Sequence, residues 1–182
     1  MSALTELVLN FPDRFLSVTH QLGRVVRRDV IGMTPEQIRI TLDQLARLYP
    51  GHSSVHFEMT ALNGVATARL TPRHLAQESS PHKILLVHGG GFAFGSPRTH
   101  RALGSALSKA LQCEVWIPAY RLAPEHPFPA GLDDVIRVFE ALSNGTTGPW
   151  LVGDSAGGNL AFSLCLDALE RNLSVPRGLI LL

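Results

Sequence analysis

The sequence predicts an α/β fold with a mostly parallel sheet and helices on both faces. From residue 83 onward, apolar segments of strand length alternate with segments that have a helical period. Strands that are apolar along their whole length and alternate with helices are typical of a parallel sheet covered on both sides. A length of 182 residues with 45% hydrophobic residues is sufficient for one domain with a substantial core.

The overall composition excludes several classes of protein. A formal net charge of +1 gives no indication of a nucleic-acid partner. The first residues lack the cationic stretch and apolar core of a secretory signal, and no segment has the roughly 18 apolar residues of a membrane span. With two cysteines and no histidine cluster at metal-ligand spacing, neither a disulfide framework nor a metal or other cofactor is predicted. We therefore expect a cytoplasmic protein without a membrane span.

The N-terminal region, residues 1–50, is predicted to be a helical segment distinct from a core that covers residues 51–182. Thr34 followed by Pro35 and Gln37 is typical of a helix start, with Thr34 as the N-cap and Gln37 closing a capping box. Apolar residues recur at helical spacing in two stripes. The first stripe comprises Phe15, Val18, Leu22 and Val25, and the second comprises Ile38, Leu42, Leu45 and Leu48.

The remaining elements follow from changes of period along the chain. Apolar and polar residues alternate on either side of Asn63-Gly64, a strong hairpin turn, so this region is expected to form two antiparallel strands. Beyond it, apolar runs alternate with helical periods. The predicted strands are 55–61, 65–70, 83–87, 114–117, 149–152 and 178–182, and the predicted helices are 99–111, 130–142 and 155–172.

A serine between glycines is the first candidate functional residue. Ser155 stands in Gly153-Asp154-Ser155-Ala156-Gly157, between an apolar strand and a nearly apolar helix. A sharp strand-to-helix turn strains the residue at its apex, and small neighbours prevent clashes there. Such a turn raises the hydroxyl above the sheet and presents the amide of Ala156 at a helix N-terminus. We predict that Ser155 is a nucleophile; the alternative is a turn that only packs the helix against the sheet.

A triple-glycine loop follows an earlier strand, in the segment His88-Gly89-Gly90-Gly91-Phe92. Without Cβ atoms, consecutive glycines let backbone amides face one point, which can hold a phosphate or an oxyanion. The Gly-Lys-Ser/Thr ending of a phosphate loop is missing here, which favours the oxyanion. We predict that the amides of Gly90, Gly91 and Ala156 converge near the Ser155 hydroxyl as an oxyanion hole, with Gly89 supporting the loop.

The segment Tyr120–Ala130 contains three prolines and follows a predicted strand. Prolines stiffen a loop because each fixes one backbone dihedral angle. We interpret the segment as a scaffold beneath the glycine loop, braced by an expected ion pair between Arg121 and Glu125.

Two histidines near these loops, His88 and His126, are candidates for a general base. Both precede Ser155 in the sequence, whereas the base follows the serine in strand-turn-helix sites of this kind. We therefore expect the His88 ring to fix the glycine loop through a hydrogen bond.

Three of these segments together resemble the signature blocks of the hormone-sensitive-lipase-like (GDXG) carboxylesterases, which have the α/β-hydrolase fold. The matching segments are His88–Gly91, Tyr120–Glu125 and Gly153–Asn159. Their order and separation are also similar, over roughly residues 50–182. The resemblance implies a hydrolase of small-molecule carboxylic esters, with the N-terminal helices in a cap over the site. It further implies that Ser155 is the nucleophile and that Asp154 is a structural hydrogen-bonding residue.

The resemblance also implies parts that these 182 residues lack. In that fold the acid and the base come from loops after later strands, and no histidine follows Ser155 here. We therefore expect a C-terminal remainder to supply further strands with an Asp and a His, and the present chain alone to be inactive. The alternative is a non-catalytic protein that binds a small acyl or carboxylate ligand on the same scaffold. The strained serine turn favours the enzyme, because a binding protein needs no strained serine.

Overall fold

In the computed structural model of the protein, the described residues are 32–75, 82–143, 148–172 and 174–182. The chain divides into two compact units, Met1–Ile38 and Arg39–Leu182. The expected boundary between a cap segment and a core at residue 50 stays a prediction, and the apolar stripe that begins at Phe15 lies outside the described residues. No helix in the described ranges has the length and apolar character needed to cross a membrane.

Helix α1, Pro35–Ala46, begins where its capping residues predict. The Thr34 amide donates to Gln37 Oε1 at 2.8 Å, and the Gln37 amide donates to Thr34 Oγ1 at 3.3 Å. This reciprocal pair satisfies two of the amides that a helix start leaves without acceptors. The predicted capping box is therefore confirmed.

The other predicted elements are all present, and each bound differs from the prediction by at most two residues. The strands are β1 Val55–Leu62, β2 Val65–Pro72, β3 Lys83–Val87, β4 Glu114–Pro118, β5 Trp150–Gly153 and β6 Leu179–Leu181. The helices are α2 Arg101–Leu111, α3 Ala130–Leu142 and α4 Ala156–Glu170. The turn between β1 and β2 has Asn63 and Gly64 at φ values of 46° and 81°, as a tight hairpin requires.

The six strands form one sheet in the order β1-β2-β4-β3-β5-β6. β1 and β2 are antiparallel, and β2 pairs antiparallel with β4. The remaining neighbours, from β4 through β3 and β5 to β6, are parallel. After β3 the chain forms β4 on one side of β3 and then β5 on the other side. The strand order therefore reverses between β3 and β5. Open parallel sheets bind their ligands at the carboxyl ends of strands at such a point.

Helices cover both faces of the sheet. α2 packs on the face of Ile117, which lies against Gly104, whereas Trp116 belongs to the core cluster on the opposite face. That cluster combines fully buried side chains of the central strands with those of α3 and α4. Its members include Leu85, Val87, Leu151, Val135, Val138 and Leu164. This core fixes the carboxyl ends of β3 and β5, and the predicted α/β fold is confirmed.

Candidate active site

Ser155 lies at the turn between β5 and α4, with a φ of 51° and a ψ of −116°. A positive φ is uncommon for a residue with a Cβ atom and carries strain. The predicted backbone conformation is therefore confirmed. Ser155 is exposed to solvent, and among the described residues no group forms a hydrogen bond with its hydroxyl. The turn thus presents an unbonded hydroxyl at the carboxyl edge of the sheet.

The glycines on either side of the turn allow two chain segments to touch. A Cβ atom on Gly153 would lie 2.5 Å from the Cα atom of Gly158. A Cβ atom on Gly157 would overlap the carbonyl oxygens of Val87 and His88 at the end of β3. Side chains at these two positions are excluded by backbone contact, because backbone cannot move aside as the end of a flexible side chain can.

The glycine loop leaves the end of β3 directly beside the serine turn. A Cβ atom on Gly89 would lie 2.7 Å from Asp154 Oδ2 and 2.8 Å from the Asp154 carbonyl oxygen. Gly90 and Gly91 have φ values of 124° and 59°, a region that favours glycine. In the described part of the chain, the amides of Gly90, Gly91 and Ala156 have no hydrogen-bond acceptor. Three amides without acceptors therefore belong to the serine turn and to the loop that contacts it at Gly89. Their convergence on one point near the Ser155 hydroxyl stays a prediction.

His100, which the sequence reasoning overlooked, ties the two halves of the site together. Its Nε2 lies 3.0 Å from Asp154 Oδ2 and 3.2 Å from the Gly89 nitrogen. On the other side of the ring, Nδ1 lies 2.9 Å from Thr99 Oγ1. Nε2 therefore contacts both the carboxylate of the residue before Ser155 and the first amide of the glycine loop, and it holds the two segments together. No local sequence pattern signals this role, because His100 is simply the second residue of the predicted helix 99–111.

The His88 ring is completely buried beneath the glycine loop. Its Nδ1–H donates to the Gly89 carbonyl oxygen at 3.0 Å, and the ring stacks on Tyr120 with centroids 4.1 Å apart. Burial, reinforced by the nearby His100, lowers the pKa of His88 from 6.5 to about 3. The ring is therefore neutral near neutral pH, and its hydrogen bond to the loop agrees with the expected structural position.

The proline-rich segment lies beneath the glycine loop, as predicted. Tyr120 Oη donates to the His88 carbonyl oxygen at 2.8 Å. The Ala123 amide donates to the Phe92 carbonyl oxygen at 2.9 Å and fixes Phe92 at a φ of 63°. These two bonds connect the segment to both ends of the loop.

The expected ion pair between Arg121 and Glu125 is wrong. Arg121 instead binds Asp134 of α3, with Nε 2.9 Å from Oδ2 and Nη2 3.0 Å from Oδ1. The Asp134 side chain is only 5% exposed, so its charge requires cationic partners, and the planar guanidinium supplies two parallel bonds. Glu125 is bound by Arg39 of α1, whose Nη2 lies 2.8 Å from Glu125 Oε2 and which lowers the pKa of the carboxyl.

Arg39 is a second residue that the sequence reasoning missed. Its Nε donates to the Ala93 carbonyl oxygen at 2.8 Å, and its Nη2 donates to the Ala123 carbonyl oxygen at 2.7 Å. One side chain of α1 therefore binds the segment after the glycine loop and the proline-rich segment together. No short sequence pattern reveals contacts between residues so far apart in the chain.

An open cavity of about 130 Å³ lies beside the first turns of α4, close to the serine turn in the chain. Its wall includes Asn159 and Leu160 in the first turns of α4, and Phe92 next to the glycine loop. The other lining residues are mostly apolar and come from the proline-rich segment and α3. They include Tyr120, Ala123, His126, Phe128 and Leu132. The cavity can hold an apolar group a few residues from Ser155.

Residues 84–182 match the family of the alpha/beta hydrolase fold. An esterase of Acinetobacter venetianus is 37% identical over 155 residues, which cover 84% of this chain and 50% of that protein. Human hormone-sensitive lipase is 34% identical over 124 residues, which cover 64% of this chain and 12% of that protein. The chain belongs to the α/β-hydrolase fold family and, within it, to the group similar to hormone-sensitive lipase.

Solved structures agree with this assignment. A hormone-sensitive lipase from a metagenome library has a TM-score of 0.79 at 31% identity, with all of this chain and 57% of that chain covered. An esterase from the bacterial hormone-sensitive lipase family has a TM-score of 0.75 at 29% identity, with 82% of this chain and 50% of that chain covered. The present chain therefore spans about half the length of several of these relatives.

Proposed function

We propose that the complete protein is a serine carboxylester hydrolase that cleaves small to medium acyl esters through an acyl-enzyme. Ser155 is the nucleophile, and the amides of Gly90, Gly91 and Ala156 bind the oxyanion. The observation that carries the proposal is the strained turn with an unbonded serine hydroxyl, packed against a glycine loop whose amides are free. The esterase name of the Acinetobacter relative supports the same reaction class.

In the proposed reaction, Ser155 Oγ attacks the ester carbonyl carbon while a histidine takes the hydroxyl proton. The carbonyl oxygen becomes negative and accepts hydrogen bonds from the three amides, each worth about 2.7–4 kcal/mol of barrier. The tetrahedral intermediate then collapses, and the alcohol leaves with the proton from the histidine. Water hydrolyses the resulting acyl-serine by the same steps and restores the hydroxyl.

We propose that polypeptide other than these 182 residues supplies this histidine and its aspartate. Among the described residues, no histidine is bonded to the Ser155 hydroxyl, and the rings of His88 and His100 are held by Gly89 and Asp154. Without a base, a serine site retains only roughly 10³–10⁴-fold catalysis over water. The cavity lined by Phe92, Phe128 and Leu160 receives an apolar part of the ester.

The proposal is tested by kinetics of the complete protein on p-nitrophenyl acetate, butyrate and octanoate. We expect Ser155→Ala to lower kcat/KM by at least about 10³-fold. The matched control is Ser163→Ala, the same substitution further along α4, which leaves kcat/KM unchanged. An unaffected Ser155→Ala variant contradicts the proposed nucleophile. Saturable binding of the esters without turnover by the parent protein supports the non-catalytic binding protein instead.

A further inference from the structure

A second, open cavity of about 310 Å³ lies between α1, β1 and the start of α2. None of its lining residues lines the cavity beside Ser155. Three arginines face it, namely Arg47, Arg98 and Arg101, and in the described part of the chain none of them forms an ion pair. Arg47 and Arg98 are exposed and Arg101 is half-buried, so the positive charge of the cavity is accessible to an anion from solvent.

The other charged group of the cavity is Asp43. Its Oδ1 accepts a hydrogen bond from Ser96 Oγ at 2.5 Å. Ser96 Oγ in turn accepts from the Arg98 amide at 3.1 Å. This carboxylate is therefore engaged in fixing the turn that carries Arg98. With one carboxylate against three guanidinium groups, the cavity keeps a net charge of two positive units.

The orientation of one guanidinium is set by an aromatic ring. The Arg101 Cζ atom lies 4.6 Å from the centroid of Phe57, which also lines the cavity. A cation held on an aromatic face loses less conformational freedom when it binds a ligand, because its side chain is already restrained.

We propose that this cavity binds a phosphate-type oxyanion, as free phosphate or as a small phosphate monoester. A phosphate monoester carries a charge of about −1.5 to −2 at pH 7, which matches the net charge of the cavity, whereas a carboxylate neutralises only one unit. The flat fork of arginine donors also fits the geometry of phosphate oxygens. This inference does not depend on the proposed ester hydrolysis.

The test is calorimetric titration of the complete protein with inorganic phosphate, against chloride at equal ionic strength. We expect saturable binding, weakened about tenfold by Arg98→Gln and by Arg101→Gln, since each removes hydrogen bonds to a charged group. Arg177→Gln is the matched control, because it removes the same charge from an exposed residue near β6. It leaves phosphate binding unchanged. Thermal unfolding midpoints equal to that of the parent show that the variants are folded.

Three results overturn the proposal. One is the lack of saturable phosphate binding by the parent protein. Another is a loss of phosphate affinity in Arg177→Gln as large as that in Arg98→Gln and Arg101→Gln, which would show that phosphate responds only to the overall positive charge of the protein. The third comes from vesicles of phosphatidylcholine with and without phosphatidic acid. Binding to the phosphatidic acid vesicles without binding of free phosphate assigns the arginines to a membrane surface.

Discussion

His100 Nε2 lies 3.0 Å from Asp154 Oδ2, and this contact joins the start of α2 to the residue before Ser155. The same nitrogen lies 3.2 Å from the amide of Gly89 in the glycine loop. One imidazole therefore touches both parts of the candidate site. Its side chain is 14% exposed and that of Asp154 is 38% exposed, so the contact is only partly screened by solvent.

We expect a coupling free energy of about 1 kcal/mol between His100 and Asp154. A hydrogen bond to a charged group contributes more than a neutral one, but partial exposure to solvent reduces its contribution here. A double-mutant cycle of His100→Ala and Asp154→Ala, measured by urea unfolding, gives this value. If the two changes are additive, the contact does not stabilise the turn.

Gly157→Ala is expected to destabilise the protein by about 3 kcal/mol or to prevent folding. The new methyl group would overlap the Val87 and His88 carbonyl oxygens, and backbone must shift to make room. Gly158→Ala is the control on the same helix, because its methyl group would meet Gly153 O at 3.4 Å, an ordinary contact. Gly158→Ala is expected to stabilise the protein by up to about 1 kcal/mol, because alanine has a higher helix propensity than glycine. Equal unfolding midpoints for the two variants would show that the contact between Gly157 and the end of β3 can accommodate a methyl group.

Asp134→Ala is expected to cost about 2 kcal/mol. It removes the acceptor of two arginines and of the Arg121 amide, although the partly exposed guanidinium groups recover some hydration. The adjacent exposed Asp133 is the control, and Asp133→Ala costs at most about 1 kcal/mol through the helix dipole. Denaturant unfolding distinguishes them, and a larger loss at Asp133 argues against the assigned role of Asp134.

His88 makes folding stability depend on pH. Its pKa falls from 6.5 to about 3 on folding, so between these values the unfolded chain binds a proton that the folded protein does not. Stability therefore decreases as the pH falls through this window, by up to about 1.4 kcal/mol per pH unit. His88→Gln is expected to remove this slope, whereas His126→Gln, at an exposed position, keeps it. Parallel pH profiles for all three proteins would mean that the pKa of His88 is the same in the folded and unfolded states.

The sequence was sufficient for features that depend on neighbouring residues. Apolar periodicity and capping residues predicted the elements, and the glycines around Ser155 predicted its backbone conformation. The ion pairs depend on distant segments and were not predicted correctly. Proximity in the sequence predicts a pair between Arg121 and a carboxylate four residues away, whereas its partner Asp134 lies on the next helix and is buried there. The link between His100 and Asp154 spans 54 residues, so no local pattern indicates it.

The central claim is that Ser155 is an activated nucleophile in the complete protein. The most direct measurement is mass spectrometry after treatment with a fluorophosphonate, which bonds covalently to a serine oxygen and releases fluoride. We expect one label per protein molecule on the peptide that contains Ser155, with no label on Ser155→Ala and full labelling of Ser163→Ala. Labelling of another residue, or an unmodified Ser155 in the folded complete protein, would contradict the claim.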